Sequence, residues 1–209
     1  MQEKQLSRKE RERLQHKNEI IEIALRLFSE YGFHNVSMQQ IAEASGFAVG
    51  TLYNFFESKE SMFEELINTT GQDVLSEFLE ILNGPGNEKE RLWSFIMHQP
   101  KILDTYGSIL KLYFSEIGSK ILKYSKIHDV NNIHKILDNK LSEIIEQGIQ
   151  KGFFRSVSPE IAAKSLGASI ETLIVDITAN YNKDEIIDKF TKIEQLFLEG
   201  LLLPKEPHA

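Results

Sequence analysis

Between Ser37 and Lys59 the chain gathers side chains suited to phosphate oxygens and base edges rather than to making or breaking bonds. Thr51, Tyr53 and Lys59 offer a hydroxyl, a phenol and an ammonium, and helix starts at Ser37 and Ser58 offer N–H groups, all matched to phosphate oxygens. Gln39, Gln40 and Asn54 carry amides whose donor and acceptor pair with the exposed edge of adenine, while Ala48 and Val49 suit the methyl group of thymine. Catalytic arrangements are absent by comparison. Ser108-Ile-Leu-Lys111 matches a Ser-x-x-Lys pattern, but its companion Ser-Asp-Asn and Lys-Thr-Gly motifs are missing. His128 and His134 are spaced wrongly for one helical face, and the chain has no cysteine, so no metal site is expected. The reading is of a binding protein without cofactor, not an enzyme.

These residues need a scaffold, and the spacing around them specifies one. From Ser37 to Asn54 the chain reads helix, three-residue turn, helix: "SMQQIAEA", "SGF", "AVGTLYN". A helix-turn-helix requires an apolar residue and then a small one where its helices cross, supplied by Ile41 and Ala42. It requires a glycine four residues later where the turn demands positive φ, supplied by Gly46, and an apolar anchor six further on, supplied by Leu52. An ordinary helical hairpin is the plainer alternative.

Elsewhere apolar residues recur at helical spacing with almost no strand signal, so an all-α fold of about nine helices is predicted. The first helix carries Ile20, Ala24, Leu27 and Tyr31 on one stripe and ends at Gly32. Capping chemistry marks helix starts at Ser7, Ser37, Asn87, Ser158-Pro159 and Asn182, and Gly46, Gly84, Gly107, Gly118 and Gly152 are read as stops.

"GFAVGTLYNFFESKESMF" (46–63), following "IIEIALRLFSEYGFHNVSMQQIAEASG" (20–46), resembles the three-helix DNA-binding head of the TetR (tetracycline repressor) family, the likeness covering about residues 18–66. "EQGIQKGFFRSVSPEIAAKSLGASIETL" is similar to that family's join between its seventh and eighth helices. The resemblance implies that Gly50, Tyr53 and Lys59 stand where phosphate contacts and close backbone approach occur. It implies a head at 1–60 with an N-terminal arm, and a helical effector-binding and dimerisation domain at 61–209. Three positions depart from the pattern: Phe55 replaces a frequent Tyr or His, and Ala48 and Val49 replace polar or basic residues. The second helix of the motif therefore lacks Lys and Arg. Operator contacts are expected to lean towards A·T pairs, with Arg8, Lys9, Arg11 and Arg13 either supplying charge to phosphates or a minor groove, or forming a solvated helix with Arg–Glu pairs.

The family likeness leads to the expectation of a homodimeric repressor on a palindromic operator in double-stranded DNA, released by a small effector. A DNA-binding module without a small ligand, working through a protein partner or in chromosome organisation, is the other reading. Pocket candidates are Trp93, Met97, Tyr106, Tyr113, Phe114 and Tyr124, for each of which core packing is the plainer and favoured alternative. With no buried charge identifiable, an apolar or cationic aromatic effector is favoured. Leu166, Ile170 and Leu173, with Ile186, Phe190, Ile193 and Phe197, follow helical spacing that suits either the chain's own core or two helices pairing with a second subunit. The net charge of -7, with the excess acid in residues 61–209, argues against nonspecific coating of nucleic acid but not against a specific binder. The charged beginning lacks the apolar segment of a signal peptide, and no run approaches the ~18 apolar residues of a spanning helix, so a cytoplasmic location without membrane association is expected.

Overall fold

The computed structural model describes residues 7–116, 128–180 and 182–202. They form α1 (Arg8–Tyr31), a 3-10 turn (Phe33–Asn35), α2 (Met38–Ser45), α3 (Val49–Tyr53), α4 (Lys59–Leu82), α5 (Glu88–Glu116), α6 (His128–Gln150), α7 (Pro159–Ala179) and α8 (Lys183–Glu194), the last running into a π-helical turn at Gln195–Glu199. Eight α-helices among the described residues, with no strand beyond a single bridge between Phe154 and Leu202, make this an all-α fold. Among these residues no helix is long and apolar enough to cross a membrane.

The chain divides into two compact units, Met1–Asn68 with Leu112–Lys126, and Thr69–Lys111 with Ile127–Ala209. In the first, α1 begins at a reciprocal capping box: Ser7 N–H donates to the Glu10 carboxylate at 2.8 Å and Glu10 N–H to the Ser7 hydroxyl at 3.3 Å. Ile20, Ala24 and Phe28 bury one stripe of α1, whereas Tyr31, expected on that stripe, is exposed one turn further on. Gly32 takes φ of 83° and turns the chain so that Phe33 packs 5.1 Å from both Phe28 and Phe63. Ser37 and Gln40 cap α2 reciprocally, and Ile41 and Ala42 are buried against the helices it crosses. Gly46 has φ of 73°, the left-handed conformation that the turn requires, and Leu52 is fully buried, anchoring α3 with roughly 1.5–3 kcal/mol of apolar burial.

In the second unit α5 runs unbroken through Pro100 and Gly107, so Gly107 does not end a helix as its type suggested. Ile102, Leu103 and Ile109 are buried along this stretch, and their packing outweighs the propensity cost of the glycine. Gly118 lies outside the described residues. Lys189 pairs with Asp176 at 2.8 Å, joining α8 to α7. Gly148 on α6 is needed for packing: a β-carbon there would lie 2.1 Å from the ring of buried Phe154.

Candidate nucleic-acid interface

The side chains grouped by sequence occupy one compact unit, but they are not equally available. α3 is short, and its N-terminal end presents Ala48 exposed, Val49 half-buried and Gly50 exposed. A β-carbon on Gly50 would meet nothing within 4 Å, so its smallness answers no need within the chain. Thr51 is half-buried and Tyr53 is exposed over 54% of its surface, its ring held by no contact that buries it. Asn54 is exposed and closes α3, its N–H donating to the carbonyls of Gly50 and Thr51 at 3.2 and 3.1 Å.

The two glutamines separate. Gln39 is exposed. Gln40, also exposed, has its amide oxygen accepting from the Ser37 N–H at 2.8 Å and the Ser37 hydroxyl at 2.9 Å. A bidentate contact to adenine needs both ends of the amide, so Gln40 caps α2 at the cost of that role, and Ser37 is committed to the same cap. The spacing Ser37-Met-Gln-Gln40 announces the cap, but the same glutamine is also a candidate base reader, and the two uses of one amide compete.

Lys59 is the larger surprise. Its ammonium donates to the main-chain carbonyls of Phe33 and Val36, each at 2.7 Å, and stands 4.4 Å from the centroid of the Phe33 ring. Two of its three protons tie the start of α4 to the loop entering α2. That makes Lys59 a strut of the motif, half-buried rather than projecting. Ser58 and Ser61 cap the start of α4 reciprocally at 3.0 and 3.1 Å.

The basic run before the motif is helical, not a detached arm. Arg8 pairs with Glu12 at 2.8 Å, as expected of a solvated helix with Arg–Glu pairs. Arg13 lies over the Phe55 ring, and Lys17 pairs with Glu65 while standing 5.3 Å from the Phe56 centroid. Phe55 is thus a platform for Arg13, half-buried, and Phe56 is a core residue.

The pocket and pairing candidates also sort by burial. Trp93 is 49% exposed and Met97 is half-buried. Tyr106 donates its phenol to Glu77 at 3.1 Å, and burial, then that carboxylate, push the phenol above its ordinary value. Glu77 accepts as well from His98 at 2.9 Å and Lys101 at 3.1 Å; these bonds, His98 first, pull its carboxyl down to about 2. A half-buried acidic node, invisible to periodicity, therefore faces Tyr106. Tyr113 and Phe114, both half-buried, stack edge to face at 5.1 Å, and Tyr124 lies outside the described residues.

Four residues expected at a subunit interface, Leu166, Ile170, Ile186 and Phe190, are buried within the chain and belong to its own core. Leu173, Ile193 and Phe197 are half-buried. What α7 offers to solvent is a different stripe, Ile161, Ala168, Thr172 and Val175, beside a shallow groove lined by Ala168, Ser169, Thr172, Leu173, Asp176 and Ile193. The small residues of α7 suit close helix approach, and Leu166 and Ile170, with Ile186 and Phe190 on α8, serve the chain's own core, one of the two uses that their spacing leaves open.

Comparison with known proteins agrees with this arrangement. Residues 20–66 match the family described as bacterial regulatory proteins, tetR family. The HTH-type transcriptional repressor KstR2 of Rhodococcus jostii (strain RHA1) is 26% identical over 153 residues, covering 72% of this chain and 74% of that one. The fatty acid metabolism regulator protein of Bacillus subtilis (strain 168) is 22% identical over 184 residues, covering 88% and 94%. The crystal structure of the transcriptional regulator FadR from Bacillus subtilis in complex with stearoyl-CoA shares the fold with a TM-score of 0.73 at 21% identity, covering 88% of this chain and 98% of that one. These relatives are regulators and not enzymes. With its helix-turn-helix at residues 37–54 built as the motif requires, the chain carries in residues 20–66 the DNA-binding domain of the bacterial regulatory proteins of the tetR family.

Proposed function

We propose that the chain is a homodimeric repressor that grips a palindromic operator through α2 and α3 and is released when its C-terminal domain binds an effector with a long apolar body. The uncapped edge of the motif carries this reading: Gln39, Ala48, Gly50, Tyr53 and Asn54 are exposed and Val49 and Thr51 half-buried, while Ser37, Gln40 and Lys59 hold the scaffold. Tyr53 and Thr51 would position the head on phosphates, and Gln39 and Asn54 would read adenines. Gly50 would let the backbone approach the duplex. The head would extend to about residue 60 and the effector and pairing domain over 61–209, with the exposed α7 stripe pairing two copies about a two-fold axis.

Of the two effector chemistries that the sequence favoured, the apolar one gains support from the relatives: one is a fatty acid metabolism regulator and another was crystallised with stearoyl-CoA. A cationic aromatic ligand gains none from either. Effector binding would shift the population of dimers away from the DNA-competent spacing, by no more than its preference between the two states. A cytoplasmic location accords with such a role.

Thermal melting with stearoyl-CoA, a saturated fatty acid and a cationic aromatic dye, followed by gel shift of a bound duplex with each, tests the proposal. Stearoyl-CoA should raise the melting temperature and release the duplex. Stabilisation and release by the dye alone would reverse the effector assignment.

A further inference from the structure

Arg13, His16 and Lys17 extend towards the N-terminus the stripe on which α1 buries Ile20, Ala24 and Phe28, because positions three and four apart share a helical face. Apolar side chains would normally continue such a stripe. Here each of the three stands on an aromatic ring of the helix-turn-helix. The Arg13 guanidinium is 5.5 Å from the Phe55 centroid, the His16 ring is 5.1 Å from that of Phe47, and the Lys17 ammonium is 5.3 Å from that of Phe56. Phe47 belongs to the turn between α2 and α3, and Phe55 and Phe56 follow α3, so the N-terminal turns of α1 brace both ends of the recognition helix.

Arg13 makes one further contact, donating from Nη2 to the main-chain carbonyl of Asn54 at 3.5 Å. Asn54 is the residue that closes α3 and carries the one amide that the helix can turn to a base edge. A planar guanidinium can lie flat against a ring and donate from its rim in a fixed fork, a geometry that the compact ammonium of a lysine at this position would not reproduce. We propose that Arg13 is a positioning residue for operator readout, fixing Phe55 and the Asn54 carbonyl and through them the angle at which the Asn54 amide meets its base. The proposal rests on the DNA-binding reading above and differs from a phosphate contact by Arg13, which would add affinity for any sequence.

The test uses the full chain with Arg13→Ala, Arg13→Lys, Phe55→Leu and the Arg13→Ala/Phe55→Leu double variant. The probes are the duplex that the unaltered chain enriches by in vitro selection and a scrambled duplex of equal length, titrated between about 50 and 200 mM salt. Arg13→Ala should weaken the selected duplex about 5–10-fold, leave the scrambled one within about 2-fold and leave the salt slope unchanged, since no phosphate contact is lost. It should also blur preference at the same base pair as Asn54→Ala. Arg13→Lys should not restore that preference, Phe55→Leu should reproduce its loss, and the double variant should be no worse than either single one, as expected of groups acting as a unit. Equal weakening of both duplexes with the slope reduced by about 0.9 and rescue by lysine would make Arg13 a phosphate ligand and overturn the proposal. Additive losses in the double variant, or no change in Arg13→Ala, would overturn it too. Failure of the unaltered chain to enrich any sequence would instead count against the DNA-readout assignment itself.

Discussion

Replacing Lys59 by methionine separates a strut from a phosphate ligand. Methionine keeps most of the aliphatic stem and removes the ammonium, so the carbonyls of Phe33 and Val36 each lose a donor at 2.7 Å and the Phe33 ring loses its cation at 4.4 Å. Charge-assisted bonds contribute roughly 1.5–3 kcal/mol each when their partners are desolvated, and a cation over a ring from about 0.5 kcal/mol at an exposed site to about 2 kcal/mol when desolvated. The half-buried setting lets water return to the carbonyls, so the net loss should be about 2–3 kcal/mol, below what the contributions sum to when fully desolvated. For a chain of 209 residues that corresponds to a fall of about 4–12 °C in the melting temperature. Specific DNA binding should weaken with it, because the loop entering α2 is released, yet the dependence of affinity on salt should keep its slope. Thermal melting and a salt titration of Lys59→Met decide the matter together. An unchanged melt with a slope reduced by about 0.9 would refute the strut and restore Lys59 as a phosphate contact.

Gly50→Ala should leave the isolated chain as stable or about 0.5–1 kcal/mol more so, since the added β-carbon meets nothing and alanine favours helix, while operator affinity drops; a gel shift showing full affinity would remove the close-approach role. Gly148→Ala should cost about 2–3 kcal/mol by displacing the buried Phe154 ring, measured as a lower urea midpoint, with alanine's helix preference too small to compensate. For Glu77 the folded carboxyl titrates near 2 against 4.5 for the ordinary group, so its contribution is complete above about pH 4.5 and is lost as the pH falls towards 2. Because the side chain is 28% exposed, solvent screening reduces that contribution to about 1–2 kcal/mol. Glu77→Gln should therefore lower stability near neutrality and flatten this part of the acid limb, and an identical pH profile in urea melts would show the node to be energetically silent.

Local chemistry was legible where it is decided locally. The caps at Ser7, Ser37, Asn87 and Ser158 and the left-handed turn at Gly46 depend on residues within a few positions, and each forms as its type requires. The core positions Ile41, Ala42 and Leu52 follow from the geometry of one motif. The bonds of Lys59 were not legible because its partners, Phe33 and Val36, are 26 and 23 positions away and are main-chain atoms that no residue type announces. Periodicity showed that α7 and α8 are apolar but not which apolar face is internal, since core and interface obey the same spacing; hence Leu166 and Phe190 are buried while Ile161 and Val175 are not. The fit of Phe154 over Gly148 and the convergence of His98, Lys101 and Tyr106 on Glu77 arise from packing between helices, which no single-helix pattern encodes.

The central claim is sequence-specific recognition by a dimer through a motif nearly without positive charge. In vitro selection of random duplexes by the purified chain, with the affinity of the enriched sequence compared with a scrambled one at physiological salt, measures it directly. The expected product is a palindrome whose contacted positions are mostly A·T, bound on the order of 1,000-fold or more tighter than the scrambled duplex. Enrichment of no sequence, or of half-sites dominated by G·C pairs, would contradict it.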